Sequence, residues 1–366
     1  MSTPRDDDWP GRHLAFSVVH PGSPVLRVRY RHGVLIGPYG YPDWALVARA
    51  MVELPPPDPR LTRDETRVLD VLAANAAMTQ AAGSGDGDPL WPAGPSGPSA
   101  RAVATPPGWC WAHVGPTEAS GSPRRLALVP AELHGAFRHA GGASLLPENG
   151  RGLRYESADR SAANLTASDA VPDDVISLVE QLLGWPLPPA YRRFLATTNG
   201  AGPDSPLVCA EHGFVADQPL FGLAREDQQQ DVSYAAAWLR DRFTMDFLPI
   251  GYVQGGILAV KVAGGDTDSI WYWDDDDPRD RERFGPKEIC EALLHRCADS
   301  IDTLWATLAP PPAWLLEYAG HWVQGGMVRQ VRDPVLGAGL PPRWRAPWMS
   351  APRPGADPVT ALFEAA

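Results

Sequence analysis

The chain has 366 residues, 44% of them hydrophobic, and a formal net charge of −12, which is long for one domain and comfortable for two. No apolar run is long enough to span a bilayer. The start, Met1-Ser2-Thr3-Pro4-Arg5 followed by Asp6-Asp7-Asp8, lacks the apolar stretch of a secretory signal, so a cytoplasmic location is the expectation. Residues 1–169 carry 16 basic and 17 acidic side chains, residues 170–366 carry 16 and 27. The second part therefore repels phosphate and suits a basic protein better than a nucleic acid.

Residues 1–24 read as a polar lead-in. Val25 to Tyr30 alternates and reads as a strand, Gly33 to Gly40 as a strand and turn, and Ala45 to Leu54 as another strand closed by Pro55-Pro56-Pro57. Thr62 with Glu65 three residues on forms a capping box. It opens a helix whose Val68, Leu69, Leu72, Ala73 and Ala76 follow helical spacing. Residues 81–104, rich in Gly, Pro, Ser and Ala, read as a disordered loop with Trp91 as its candidate anchor. Trp109 to Val114 and Arg125 to Val129 read as a hairpin. A helix then starts at Pro130, runs through His139 and ends at Gly141-Gly142. Residues 147–170 read as a linker.

Beyond it, Asp173 caps a helix to Leu183, ended by Gly184, and Pro188-Pro189 opens a second helix, Tyr191 to Thr198, stopped by Asn199-Gly200. Pro206–Cys209, Phe247–Tyr252, Ile257–Val262 and Ser269–Trp273 read as strands, and Pro286 to Leu308 as a final helix. Residues 310–366, rich in Pro, Trp and Arg with little periodicity, read as a partly ordered tail lying on one of the domains. The order of elements predicts an α+β protein of two domains, residues 25–146 and 171–309. Cys110, Cys209, Cys290 and Cys297 form no Cys-x-x-Cys pair, which argues against a zinc knuckle. Cys290 and Cys297, seven apart in the helical pattern, read as reduced packing residues.

Trp271-Tyr272-Trp273 runs straight into Asp274-Asp275-Asp276-Asp277. The aromatic run suits a buried strand. Four adjacent acids cannot be buried unpaired, so the chain is expected to leave the core here and present a negative patch to a metal, a basic partner or water. Trp271 and Trp273 share one face of the strand and Tyr272 takes the other. The two rings suit packing. Together with Asp274, Asp275, Asp276 and Asp277 they also form the candidate protein-binding surface.

A second constellation is His113 on the first strand of the hairpin, with His134 and His139 on the helix after it. A hairpin and a helix bearing histidines can converge on one metal ion, with a neutral imidazole activating water. The same histidines can equally be structural, and the spacing of five between His134 and His139 aligns them less well on a helix face than four would.

The stretch TPPGWCWAH, followed by RRLALVPAELHGAFRHAGG, resembles the WHH group of the HNH/endonuclease VII nuclease superfamily, found as toxin domains in bacterial polymorphic toxins. Gly40-Tyr41-Pro42-Asp43, Val52-Glu53-Leu54 and Ala74-Asn75 resemble upstream positions of the same family. The resemblance implies an HNH-like ββα unit with His113 as general base and His134 and His139 as metal ligands. Ala112 stands where the family's first histidine of the triplet binds metal, which implies a weakened or dead nuclease. Glu118, in the enlarged hairpin loop, is the available substitute ligand.

VISLVEQLLGWPLPPAYRRFLATTNGAGP and FLPIGYVQGGILAVKVAGGDTDSIWYWDDDDP resemble the SMI1/KNR4 (SUKH) superfamily, over about residues 170–309. That resemblance implies a mainly antiparallel sheet with flanking helices, and a bacterial immunity role in which the domain binds and neutralises a toxin, often a nuclease. The expectation is an intracellular immunity-type protein, with no cofactor. The partner is a nuclease toxin or the chain's own N-terminal domain. In the second case Asp274 to Asp277 should meet arginine-bearing surfaces of residues 1–150. The alternatives are a metal-dependent DNase (Mg²⁺, Zn²⁺ or Ni²⁺) autoinhibited by its own SUKH domain, and a plain scaffold for another partner.

Overall fold

The structure is a computed structural model that describes residues 13–19, 26–36, 41–83, 87–91, 102–115, 123–136, 141–146, 165–225, 227–240, 242–277, 279–280, 284–333, 335–340 and 344–346. His139, Glu118, loop residues 92–101, linker residues 147–164 and the end of the tail lie outside them.

The N-terminal half contains β1 (His13–Val19), β2 (Leu26–Ile36), β3 (Pro42–Asp43), β4 (Ala50–Leu54), α1 (Arg63–Gly83), β5 (Trp109–His113), β6 (Arg124–Pro130) and α2 (Ala131–Gly135). The C-terminal half begins with β7 (Leu165–Thr166), α3 (Asp173–Leu183), α4 (Pro189–Thr198), β8 (Gly202–Pro203), β9 (Leu207–Cys209), β10 (Phe214–Ala216) and α5 (Val232–Trp238). It continues with β11 (Phe247–Val253), β12 (Gly256–Lys261), β13 (Ile270–Asp274), α6 (Pro286–Ala292), β14 (Leu294–Ala298) and α7 (Ile301–Thr307). Last come α8 (Ala313–Gln324) and β15 (Arg329–Val331).

The fold is α+β and all pairings between these strands are antiparallel. One four-stranded sheet has the order β15-β4-β6-β5 and the other β11-β12-β13-β14. Smaller sheets are β1-β2-β3, β10-β9 and β7-β8. The predicted ββα unit is β5, β6 and α2.

Helix α1 opens as its sequence dictates. The Glu65 amide donates to Thr62 Oγ1 at 3.2 Å, and the Glu65 carboxylate accepts from the Thr62 amide at 2.9 Å. Its burial exceeds a single apolar stripe. Arg67, Asp70, Asn75 and Thr79 are buried along with Val68, Leu69, Val71, Leu72 and Met78. A helix covered on every side is a central one, and its polar side chains must find partners inside.

Four sequence expectations are corrected. The lead-in contains β1, paired with β2. The strand expected from Ala45 starts at Ala50, because Asp43 Oδ1 accepts the Ala45 amide at 3.0 Å and turns the chain first. The helix expected over 286–308 is broken by β14, because β13 needs a partner for its outer backbone groups and pairs Tyr272 with His295; Ser300 and Thr303 then cap a new helix. The helix expected to run from Pro130 through His139 ends at Gly135, with Ala136 as its C-cap. The tail lies on the N-terminal half. Strand β15 adds to β4, with Arg329 opposite Glu53, and α8 buries Leu315, Ala319, Trp322 and Val323 while packing on α1. Trp91 is the expected anchor, 3% exposed and 6.3 Å from the Trp111 ring.

Strand β5 is an edge strand, and its unpaired backbone groups are a liability. Glutamines of the C-terminal half cover them. Gln254 Oε1 accepts the Trp111 amide at 2.9 Å, Gln218 Oε1 accepts the Gly108 amide at 3.0 Å, and Gln218 Nε2 donates to the Trp109 carbonyl. Asp217 accepts the Thr105 amide at 2.9 Å. Tyr234 Oη and Trp238 Nε1 both donate to Glu132, at 2.9 and 2.8 Å. These bonds tie the two halves together along the β5 edge and at α2.

Candidate functional site

The acid run follows from the turn that ends β13. Asp274 Oδ1 accepts the Asp276 amide at 3.0 Å, so the carboxylates gather at one point instead of alternating along a strand. Oxygens of Asp274, Asp275 and Asp276 lie within 4.8 Å of one another. They point into the N-terminal half. Arg67 of α1 donates to both Asp274 oxygens at 3.2 and 3.0 Å, and to the Gly255 carbonyl at 3.1 Å. It also stands 3.5 Å from Asp276 and 3.9 Å from Asp275. This is the expected contact between the acid run and an arginine of residues 1–150. Asp275 Oδ2 meets His134 Nδ1 of α2 at 2.8 Å, with both side chains 7% exposed.

The glycine pair Gly141-Gly142 lies beyond the end of α2 and opens a short 3₁₀ turn beside the acid run. A side chain at Gly141 would take the place of the Asp276 carboxylate, and one at Gly142 would collide with the His113 backbone. Only glycine at 141 allows Asp276 to approach this closely.

Burial opposes the charge on Arg67, yet Asp274, Asp276 and Asp275 hold its pKa well above the ordinary value. Burial likewise pulls His134 down, but the charge and hydrogen bond of Asp275, aided by Asp276, hold it above 6.5. For Asp274 burial is the largest effect and pushes it up to about 6, against the pull of Arg67. Burial also pushes Asp217 up to about 6, despite the hydrogen bonds from Thr105 and Gln254.

One cavity, with about 300 Å³ of atom-free space partly open to solvent, is lined by Arg67, His113, His134, Gln254, Asp275 and Asp276, among others. His113 and His134 thus line the same cavity. His113 is engaged, with Nε2 at 3.0 Å from Asp70 Oδ2. Arg124 grips the same carboxylate with two bonds of 2.8 and 2.9 Å. Ala112 is 1% exposed, paired with Ala127 in the middle of β5–β6. Asn75 of α1 holds the strand in place by accepting from Trp111 Nε1 at 2.7 Å.

The remaining predicted binding residues are not brought together. Trp273 is 1% exposed and packs on Phe243 and Arg242, so it is core and not an outward-facing contact. Trp271 is half-buried against Phe247 and Lys261. Asp277 turns to Arg279 at 2.6 Å. The acids are not presented to water either, since Arg67 and His134 supply the pairing that burial requires. Arg67, Asp70, Arg124 and the glutamine caps went unread in the sequence. The available signal was Arg67 and Asp70 standing three apart amid the apolar positions of α1.

A divalent ion of the kind the nuclease resemblance implies does not fit this arrangement. Among the described residues, Ala112 offers no donor, His134 is paired with Asp275, and Arg67 already places a positive charge among the carboxylates.

Comparison with known families agrees with the geometry. Residues 170–303 match the SMI1 / KNR4 family (SUKH-1). Residues 101–149 match WHH, described as a nuclease of the HNH/ENDO VII superfamily with conserved WHH. No curated protein gives a significant match to the chain. Among the described residues no helix is long and apolar enough to cross a membrane.

Proposed function

We propose that the chain is an immunity-type protein whose SUKH domain uses its acidic strand end as a protein-binding surface, and that its ligand is the nuclease-like half of the same chain. The observation that carries this reading is the pairing of Asp275 with His134 and of Asp274 with Arg67. A histidine at a metal-ligand position of the nuclease family is thereby occupied by a carboxylate of the SUKH domain. The acids also repel DNA phosphates from the cavity, and Ala112 removes one ligand. The closed chain is a binding protein and does not cleave DNA.

The test is plasmid cleavage by full-length protein with Mg²⁺, Zn²⁺ or Ni²⁺. Wild type and Ala112→His should both be inactive, the second because the site stays capped. Ala112→His combined with Asp275→Asn and Asp276→Asn should gain metal-dependent cleavage that His113→Ala abolishes. Cleavage by the wild-type chain, lost on His113→Ala, would overturn the reading and make the chain a working nuclease.

A further inference from the structure

Helix α3 carries more apolar surface than its own fold covers. It packs on α4, and of its aliphatic side chains only Ile176 and Val179 are buried. Leu178 and Leu182 stand 55% and 61% exposed. Four residues apart, they lie one turn above each other on the same face. Val175, half-buried, extends that face toward the start of the helix. Among the described residues the other exposed large hydrophobics are Leu90, Leu145, Met245, Met327 and Val335, each in a separate turn. Such scattered residues are ordinary, whereas neighbours on one helix face mark a contact surface.

The charges of α3 are kept off this face. Asp173 and Asp174 are confined to the first turn, where Asp173 meets Arg192 at 2.7 Å. Glu180 turns toward α4, accepting from Arg192 at 3.2 Å and from the Leu187 amide at 2.9 Å. Ser177 and Gln181, beside the leucines, are neutral. A neutral apolar strip suits neither a basic protein nor phosphate, but it does suit a copy of itself. A two-fold axis passing between Leu178 and Leu182 sets Leu178 of each copy against Leu182 of the other. It also brings Val175 to the far end of the facing helix, where there is open space beside Gly184. Antiparallel packing holds the first-turn acids of the two copies at opposite ends, whereas parallel packing would set them side by side. The face is also free of the contact between the halves. Asp268, which accepts the Ala190 and Tyr191 amides of α4 at 3.1 and 3.2 Å, lies before the start of β13, and the acid run lies at its end.

We infer that the face formed by Val175, Leu178 and Leu182 docks a second copy of this chain, and that two chains associate through an antiparallel α3–α3 pair. The helix has 11 residues and is about 16 Å long. A pair of such helices covers less than the roughly 800 Å² per partner of a standard interface, so the dimer is weak and concentration-dependent. Each copy carries a net charge of −12, and their repulsion opposes the pairing. Salt screens that repulsion and strengthens the dimer, whereas it would weaken a complex with a basic partner. The dimer joins two SUKH domains while each keeps its own N-terminal half, and it is independent of the proposed binding function.

The experiment is sedimentation equilibrium of the reduced full-length protein from about 5 to about 500 µM. Wild type should pass from monomer to dimer across this range, and its dissociation constant should fall about twofold or more between about 50 and about 500 mM salt. Leu178→Lys and Leu182→Lys lie at exposed positions where the fold tolerates change. Each should raise the dissociation constant about tenfold or more, while Leu90→Lys leaves it unchanged. The orientation is read by cross-linking. A mixture of Leu178→Cys and Leu182→Cys chains should form more disulfide dimer on oxidation than either variant alone, with wild type and its free cysteines as the background. Wild type that stays monomeric to about 500 µM, a dimer that both lysine variants leave intact or that added salt dissociates, or cross-linking no greater in the mixture than in either variant alone would each overturn the proposal.

Discussion

Replacing Arg67 with methionine tests the contact between the halves most directly. Methionine keeps the apolar stem and removes the guanidinium. Arg67 is 4% exposed, makes three hydrogen bonds to Asp274 and Gly255, and stands within 3.9 Å of Asp275 and Asp276. Without it, three carboxylates with oxygens within 4.8 Å of one another face each other in a cavity. Removing one partner of a buried ion pair costs about 3–5 kcal/mol. The acids can relieve part of this by taking up protons, so the loss should be largest at alkaline pH. Urea unfolding followed by tryptophan fluorescence at pH 8 should show a loss of about 3–5 kcal/mol, shrinking at pH 6. Asp274→Asn with Asp276→Asn in the same background should restore much of it, since like charges no longer meet. A loss below about 1 kcal/mol at pH 8, the range of an exposed pair, or no restoration by the asparagines, would refute the reasoning.

The folded values of Asp274 and Asp217, about 6 against 3.8, and of His134, above 6.5, are all raised, so the folded chain holds protons that the unfolded chain releases. The stability they contribute grows as pH falls from about 6 toward 3.8 for the acids, and is lost for His134 as pH rises through its folded value. The urea midpoint should therefore be higher at pH 5.5 than at pH 8, and Asp217→Asn should flatten the profile between pH 4 and 6 by about 1–3 kcal/mol; a midpoint that rises steadily to pH 8 contradicts this. A chain ending at residue 309 loses β15 from the edge of β4 and the α8 side chains Leu315, Trp322 and Val323 from α1. At about 1.5–3 kcal/mol per buried side chain, it should aggregate or bind a hydrophobic dye, whereas a soluble, cooperatively folding 1–309 would show the tail to be dispensable. Trp273→Ala should cost about 3–5 kcal/mol, and Trp271→Ala clearly less, because Trp273 is core and Trp271 half-buried; equal losses in thermal or urea unfolding would contradict the assigned burial.

Much of the fold was legible in local chemistry. The Thr62–Glu65 capping box, the β5–β6 hairpin, the helices α3 and α4 with Gly184 and Asn199 in left-handed conformations at their ends, and the aromatic strand before the acids all follow from spacing and turn residues that act within a few positions. Family motifs located both domains because they are themselves contiguous. The rule that four acids cannot be buried unpaired also held. It predicted exposure only because their partners, Arg67 and His134, lie far away in the sequence.

What the tertiary structure alone decided is pairing across distance. Whether residues 286–308 form one helix depended on the open edge of β13, which draws out β14. Whether the tail belongs to either domain depended on a free edge at β4 and an uncovered face of α1. Whether the acid run faces a foreign protein or its own chain depended on how the SUKH domain docks on β5, with Gln218 and Gln254 satisfying an edge that no local pattern reveals. Hydrophobic period and capping act over one or two turns of chain. Desolvated charges and unpaired backbone groups are indifferent to sequence separation, so their solutions emerge only when the whole chain has folded.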